Sequence, residues 1–107
     1  MIIIRSKLTT AELKKMAENR FGDMVKAVVD IQRKIMAIDA ELHSDEEAVL
    51  IEDGSRQVDL WGANIYPEFD KNNPDFVEFD SIINLRPSQG NRSRGVDDLE
   101  IRKIIIP

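Results

Sequence analysis

The apolar spacing of this 107-residue chain predicts one α+β domain: a four-stranded antiparallel sheet with flanking helices, in the order α-β-β-α-β-β-α after a short leading strand. Three observations carry that expectation. Helix-start signatures recur at Thr9…Glu12, Ser44…Glu47 and Asp97…Glu100. Stretches rich in β-branched and aromatic residues, with apolar residues in alternation, lie between them. Turn-forming residues separate those stretches, most clearly at Asn72-Asn73-Pro74.

Residues 1–5 read as a strand or docked arm, because three isoleucines precede the first basic residue, the reverse of a signal peptide. Thr9 with Glu12 forms a capping box and Leu8 with Leu13 a hydrophobic staple. Leu13, Met16 and Ala17 then mark a helix over residues 10–19, and Arg20-Phe21-Gly22-Asp23 ends it. Residues 24–42 carry two signals. Met24, Val28, Ile31, Ile35, Ile38 and Leu42 keep a helical spacing, whereas Val25, Ala27, Val29 and Ile31 alternate in a β-branched segment. A helix would leave Val25, Val29 and Met36 off its stripe. A hairpin is therefore expected, with strands near 24–31 and 34–41 turning at Gln32-Arg33.

Ser44 with Glu47 is a second capping box, opening a helix that reaches about Glu52 and stops at Gly54. Strands near 57–66 and 76–86 follow, joined by the loop of residues 67–75. Pairing them about the middle of that loop sets Trp61, Ala63 and Ile65 against Ser81, Phe79 and Val77 on the core face. The opposite face then carries Asn64, Tyr66, Glu78, Asp80, Asn84 and Arg86, with Leu60 and Ile82 among them. Residues 86–95 form an irregular loop. Asp97 caps a final helix with Glu100, and Ile101, Ile104 and Ile105 are its buried stripe.

Charge and composition exclude several roles. The net charge of −5 argues against a generic nucleic-acid or membrane-surface function, since both need a basic field. The chain has no cysteine, hence no disulfide, thiolate nucleophile or cysteine metal cluster. No apolar run approaches the ~20 residues that span a bilayer. A cytoplasmic protein is expected. The Ile-rich ends, MIII and IRKIIIP, point to self-association as a homodimer.

Three groups of residues are candidates for chemistry. His43 is the only histidine; Glu41, His43 and Asp45 alternate, and on an extended segment they would project to one side as metal ligands. One histidine offers few donors, and Ser44–Glu47 is already explained as helix-start chemistry, so no metal is assigned. His43, Glu78 and Asp80 are the candidates for acid–base work, and a metal-assisted hydrolase centred on His43 is the alternative function. Asn64, Tyr66, Arg86, Asn91, Arg92 and Arg94 are the candidates for ligand binding. Guanidinium forks and glycine-rich backbone suit phosphate or carboxylate, and this is the one basic loop of an acidic chain. A binding module for an anionic ligand or protein partner is the leading expectation. No residue pattern names a cofactor.

The blocks ELHSDEE, LWGANIYP and EFDSIINLRPSQGNRSR resemble a family of small prokaryotic proteins known as a domain of unknown function. The likeness runs from about Phe21 to Arg102, and it implies no activity, substrate or cofactor. In that family's pattern two glycines precede the Glu-Leu-His block, where this chain has Asp39-Ala40.

Overall fold

The computed structural model describes residues 1–5 and 8–105. Its sheet is antiparallel and five-stranded among the described residues, in the order β1-β3-β2-β4-β5, with β1 Ile2–Ile4, β2 Val25–Asp30, β3 Ile35–Ile38, β4 Leu60–Ile65 and β5 Val77–Glu78. Three α-helices accompany it among the described residues: α1 Thr10–Asn19, α2 His43–Glu52 and α3 Leu99–Ile105. The leading strand thus joins the sheet as a fifth member.

Alternation divides the core. Val25, Ala27, Ile38 and Ile65 pack with Leu13 and Ala17 of α1, whereas Val28, Ile35, Ala37 and Leu60 pack with Leu50 of α2. Since neighbouring strand residues point to opposite faces, each face receives one helix. The hairpin of β2 and β3 forms without an Asn-Gly turn. Fully buried Asp30 accepts the amides of Gln32 and Arg33 at 2.9 Å each, and Lys34 adopts a left-handed φ of 56°.

Four expectations need correction. The expected strand over 57–66 starts as a 3-10 turn at Gln57–Asp59, and the one over 76–86 keeps two residues of pairing. The register is as the sequence implies, Ile65 facing Val77 and Asn64 facing Glu78. Past Glu78, however, the chain lifts across Gly62, where a Cβ would stand 2.7 Å from Ser81. Phe79 therefore lies outside the strand and stacks under Arg102 at 4.8 Å.

Nor do Asn64, Tyr66, Glu78, Asp80, Asn84 and Arg86 share the one strand face expected opposite Trp61: pairing ends at Glu78, and every residue of β4 is buried, because α2 and the crossing segment cover that side.

The Ser44–Glu47 box does not form. Leu42 is the N-cap, with no side-chain cap bond, because His43 and Glu46 are held from below by the sheet and by Ala40.

At α3, Asp98 rather than Asp97 takes a first-turn amide, that of Glu100, at 2.8 Å, while Asp97 is recruited by Ser93 at 2.8 Å. The stripe of Ile101, Ile104 and Ile105 is not buried, and Leu99 is 67% exposed. The last two residues of the Ile-rich end, 106 and 107, lie outside the described residues.

Candidate functional site

A polar row crosses the α2 face at the end of the sheet. Register sets Lys26 of β2 beside Asn64 of β4, and Asn64 beside Glu78 of β5. The Asn64 amide donates to Glu78 at 2.9 Å and to the Asp80 carbonyl at 3.3 Å, while its Oδ1 is buried with no partner among the described residues. The Tyr66 hydroxyl donates to the same Glu78 oxygen at 3.2 Å, and burial together with Glu78 raises the phenol above its ordinary range. Asp80 pairs instead with Arg94 at 2.8 Å, at the surface. The two carboxylates therefore have different partners: Glu78 gathers Asn64 and Tyr66, and Asp80 holds a guanidinium.

The sheet-facing side of α2 contributes His43 above this row. Its ring is 8% exposed, with Nε2 2.8 Å from the Ala63 carbonyl. A carbonyl can only accept, so Nε2 carries the proton and Nδ1 keeps its lone pair. Burial lowers the imidazole below its usual range; Lys26 and Arg94 push the same way, against the Ala63 bond and Asp80. His43 is thus neutral at neutral pH, with a basic nitrogen that has no hydrogen-bond partner among the described residues. One turn on, Glu46 is fully buried, accepts the Ala40 amide at 3.2 Å, and leaves Oε1 unpaired among the described residues. Burial pushes its carboxyl up to about 9, so it stays protonated at neutral pH.

The basic loop is organised by its amides. Oδ1 of Asn84 accepts the Gly62 amide at 2.8 Å, and Nδ2 donates to the Gly62 carbonyl at 2.9 Å and the Arg94 carbonyl at 3.0 Å. This side chain occupies the backbone positions a continuing β5 would have filled. Further along the same edge, Arg86 donates to the Leu60 carbonyl and, at 2.6 Å, to the Gln57 carbonyl; its guanidinium lies 4.1 Å over the Trp61 ring. Asn91 reaches the carbonyls of Asn84 at 2.7 Å and Gly95 at 2.8 Å, and its Oδ1 receives the Asp97 amide at 2.9 Å.

A family model matches residues 2–107, under the description "Protein of unknown function (DUF5674)". The chain belongs to the DUF5674 family. No curated protein and no solved structure matches it. Membership in DUF5674 names no activity, so the chemistry rests on the residues themselves. No helix among the described residues is long and apolar enough to cross a membrane.

The sequence candidates sort by what they touch. His43, Asn64, Tyr66, Glu78, Asp80 and Arg94 gather at one corner of the sheet. Arg86 and Asn91 are committed to the chain's own carbonyls, and Arg92 forms no side-chain hydrogen bond among the described residues. Glu41, His43 and Asp45 do not share a side, because the last two are helical and Glu41 lies 3.9 Å from Arg20 in solvent. Among the described residues no three His, Asp or Glu side chains converge as metal ligands. Sequence reasoning missed Lys26. Lys26 was detectable as the one cation inside an apolar strand. Glu46 reads in the sequence only as an extra metal ligand or base beside His43, not as a buried acid, because it stands in a run of acids that all look like helix-start residues.

Proposed function

We propose that this DUF5674 protein is a small binding module for an anionic ligand, seated at the sheet corner where Lys26, His43 and Arg94 surround Asn64 and Tyr66. The observation that carries the reading is the set of unfinished polar partnerships there. Asn64 Oδ1 is buried without a partner and His43 Nδ1 forms no hydrogen bond among the described residues, and α2 begins above them with no side-chain cap. Uncapped amides at a helix N-terminus attract negative charge, and two cations stand nearby: Lys26 is beside Asn64 in the register and Arg94 is paired with Asp80. The acceptor atoms fit a ligand that also carries a hydroxyl or a protonated oxygen, as a monohydrogen phosphate does. Arg94 exchanges Asp80 for the ligand, and Asp80 sets a threshold that a weakly charged molecule does not pass. In this reading the protein works in the cytoplasm as a homodimer.

Thermal melts in inorganic phosphate test the reading. The wild type gains stability saturably with phosphate, and more than with chloride at equal ionic strength. Arg94→Ala loses affinity by about tenfold or more, the worth of a charge-assisted contact. Equal gains in phosphate and chloride, or an Arg94→Ala variant that responds like the wild type, contradict it.

A further inference from the structure

The two edges of the sheet are finished differently. On the β5 side the backbone of β4 is closed by the Asn84 and Arg86 side chains, and the Ser81 amide donates to the Arg94 carbonyl at 2.9 Å. On the other side β1 is the terminal strand, with no neighbour beyond it among the described residues. Natural edge strands carry a charge, a proline or a bulge that discourages pairing. Ile2–Ile4 carries none of these. The nearest charges are drawn off the edge: Arg5 turns back to Asp53 at 2.7 Å, and the Met1 ammonium lies 4.0 Å from Asp39.

We propose that β1 pairs antiparallel with β1 of a second copy, joining two sheets into one of ten strands. The occupant is argued from the strand itself. A two-fold axis at Ile3 sets Ile3 against its own copy and Ile2 against Ile4 of the second copy, so isoleucine meets isoleucine at each position. Both apolar faces then continue across the junction. Ile3 packs with the α2-side core and Ile4 with the α1-side core, while Ile2 is left 44% exposed in the single chain. The other terminal strand, β5, has only two residues and carries the charge of Glu78, so the pairing consumes the one unguarded edge in both copies and growth stops at two. A partner of different sequence would need its own free strand, and nothing in β1 selects for one.

The proposal places the homodimer of the proposed function at the sheet edge opposite the ligand corner, so pairing and phosphate binding fail independently. The chain has no cysteine, so Ile3→Cys supplies a single thiol. In the paired dimer the two thiols face each other across the axis, and mild oxidation gives a covalent dimer. Leu99→Cys, on exposed α3, serves as the control and stays uncrosslinked. Sedimentation of the wild type gives twice the 12.2 kDa chain mass, and Ile2→Lys gives the monomer with unchanged circular dichroism. Phosphate stabilisation persists in the Ile2→Lys monomer if the ligand corner is also real. A wild type that is monomeric at high micromolar concentration overturns the proposal. So does a dimer that crosslinks in the Leu99→Cys variant and not in the Ile3→Cys variant.

Discussion

Asn84→Ala should be among the most damaging substitutions outside the apolar core. Asn84 is 0% exposed, and its side chain completes three backbone partners: the Gly62 amide at 2.8 Å, the Gly62 carbonyl at 2.9 Å and the Arg94 carbonyl at 3.0 Å. Truncation leaves both Gly62 groups unpaired in a place water reaches poorly, while the Arg94 carbonyl keeps the Ser81 amide at 2.9 Å. Each unpaired buried backbone group costs about 1–3 kcal/mol, so about 2–6 kcal/mol is lost in total. A domain of this size holds roughly 5–15 kcal/mol, so the variant sits near the edge of folding. Urea unfolding followed by circular dichroism measures the loss. Asn84→Asp is the sharper probe, because the shape survives while Nδ2 becomes an oxygen facing two carbonyls. That variant should be destabilised comparably at neutral pH and should recover in part in acid, when protonation restores one donor. A loss below about 1 kcal/mol in Asn84→Ala would refute the view that this amide stands in for a missing strand.

Three further outcomes are expected. Glu46, pushed up to about 9 by burial, holds a proton when folded that the unfolded chain releases near its reference value of about 4.3. Stability therefore falls as pH rises from about 4 to about 9, by at most about 1.4 kcal/mol per unit. Glu46→Gln should flatten that slope, and parallel pH–stability profiles of the two proteins would contradict the buried-acid account. Trp61 is 3% exposed with a guanidinium stacked on it. Its emission should be that of a buried indole, Trp61→Ala should cost about 3–5 kcal/mol in urea melts, and an exposed-type spectrum would contradict this. Asp39 adopts a left-handed φ of 66° where the family resemblance expects glycine, and pairs with Arg20 at 2.9 Å. Asp39→Gly relieves strain of about 1 kcal/mol while losing an ion pair worth less, so it should be neutral or stabilising. Asp39→Ala loses the pair and keeps the strain, and calorimetry should rank it lowest.

The elements legible in the sequence are those whose signals are local. The Thr9–Glu12 box and its staple are both present, and the hairpin of β2 and β3 follows from β-branched alternation. Even the β4–β5 register could be read, since loop symmetry and alternation specify it together. What could not be read depends on distant groups. The Ser44–Glu47 box is a good local signal that loses to two tertiary contacts, His43 with Ala63 and Glu46 with Ala40. The strand expected to Arg86 stops early because a glycine admits the chain across the sheet and an asparagine closes the vacated edge. At the candidate site, Asn64, Tyr66, Glu78 and Asp80 were visible as a polar strand face. Lys26 and His43 were not visible as its neighbours, because only the folded register and the seating of α2 bring them there.

The most direct test of the anion-binding account is a titration of the isotopically labelled protein with inorganic phosphate, followed residue by residue by NMR. The account predicts saturable shifts at the His43 and Ser44 amides and at the Asn64 and Arg94 side chains, with β1 and α1 silent. Those shifts should vanish in Arg94→Ala while its fold is kept. Weak, unsaturated shifts spread over every exposed lysine and arginine, or saturable shifts confined to another surface, would contradict it.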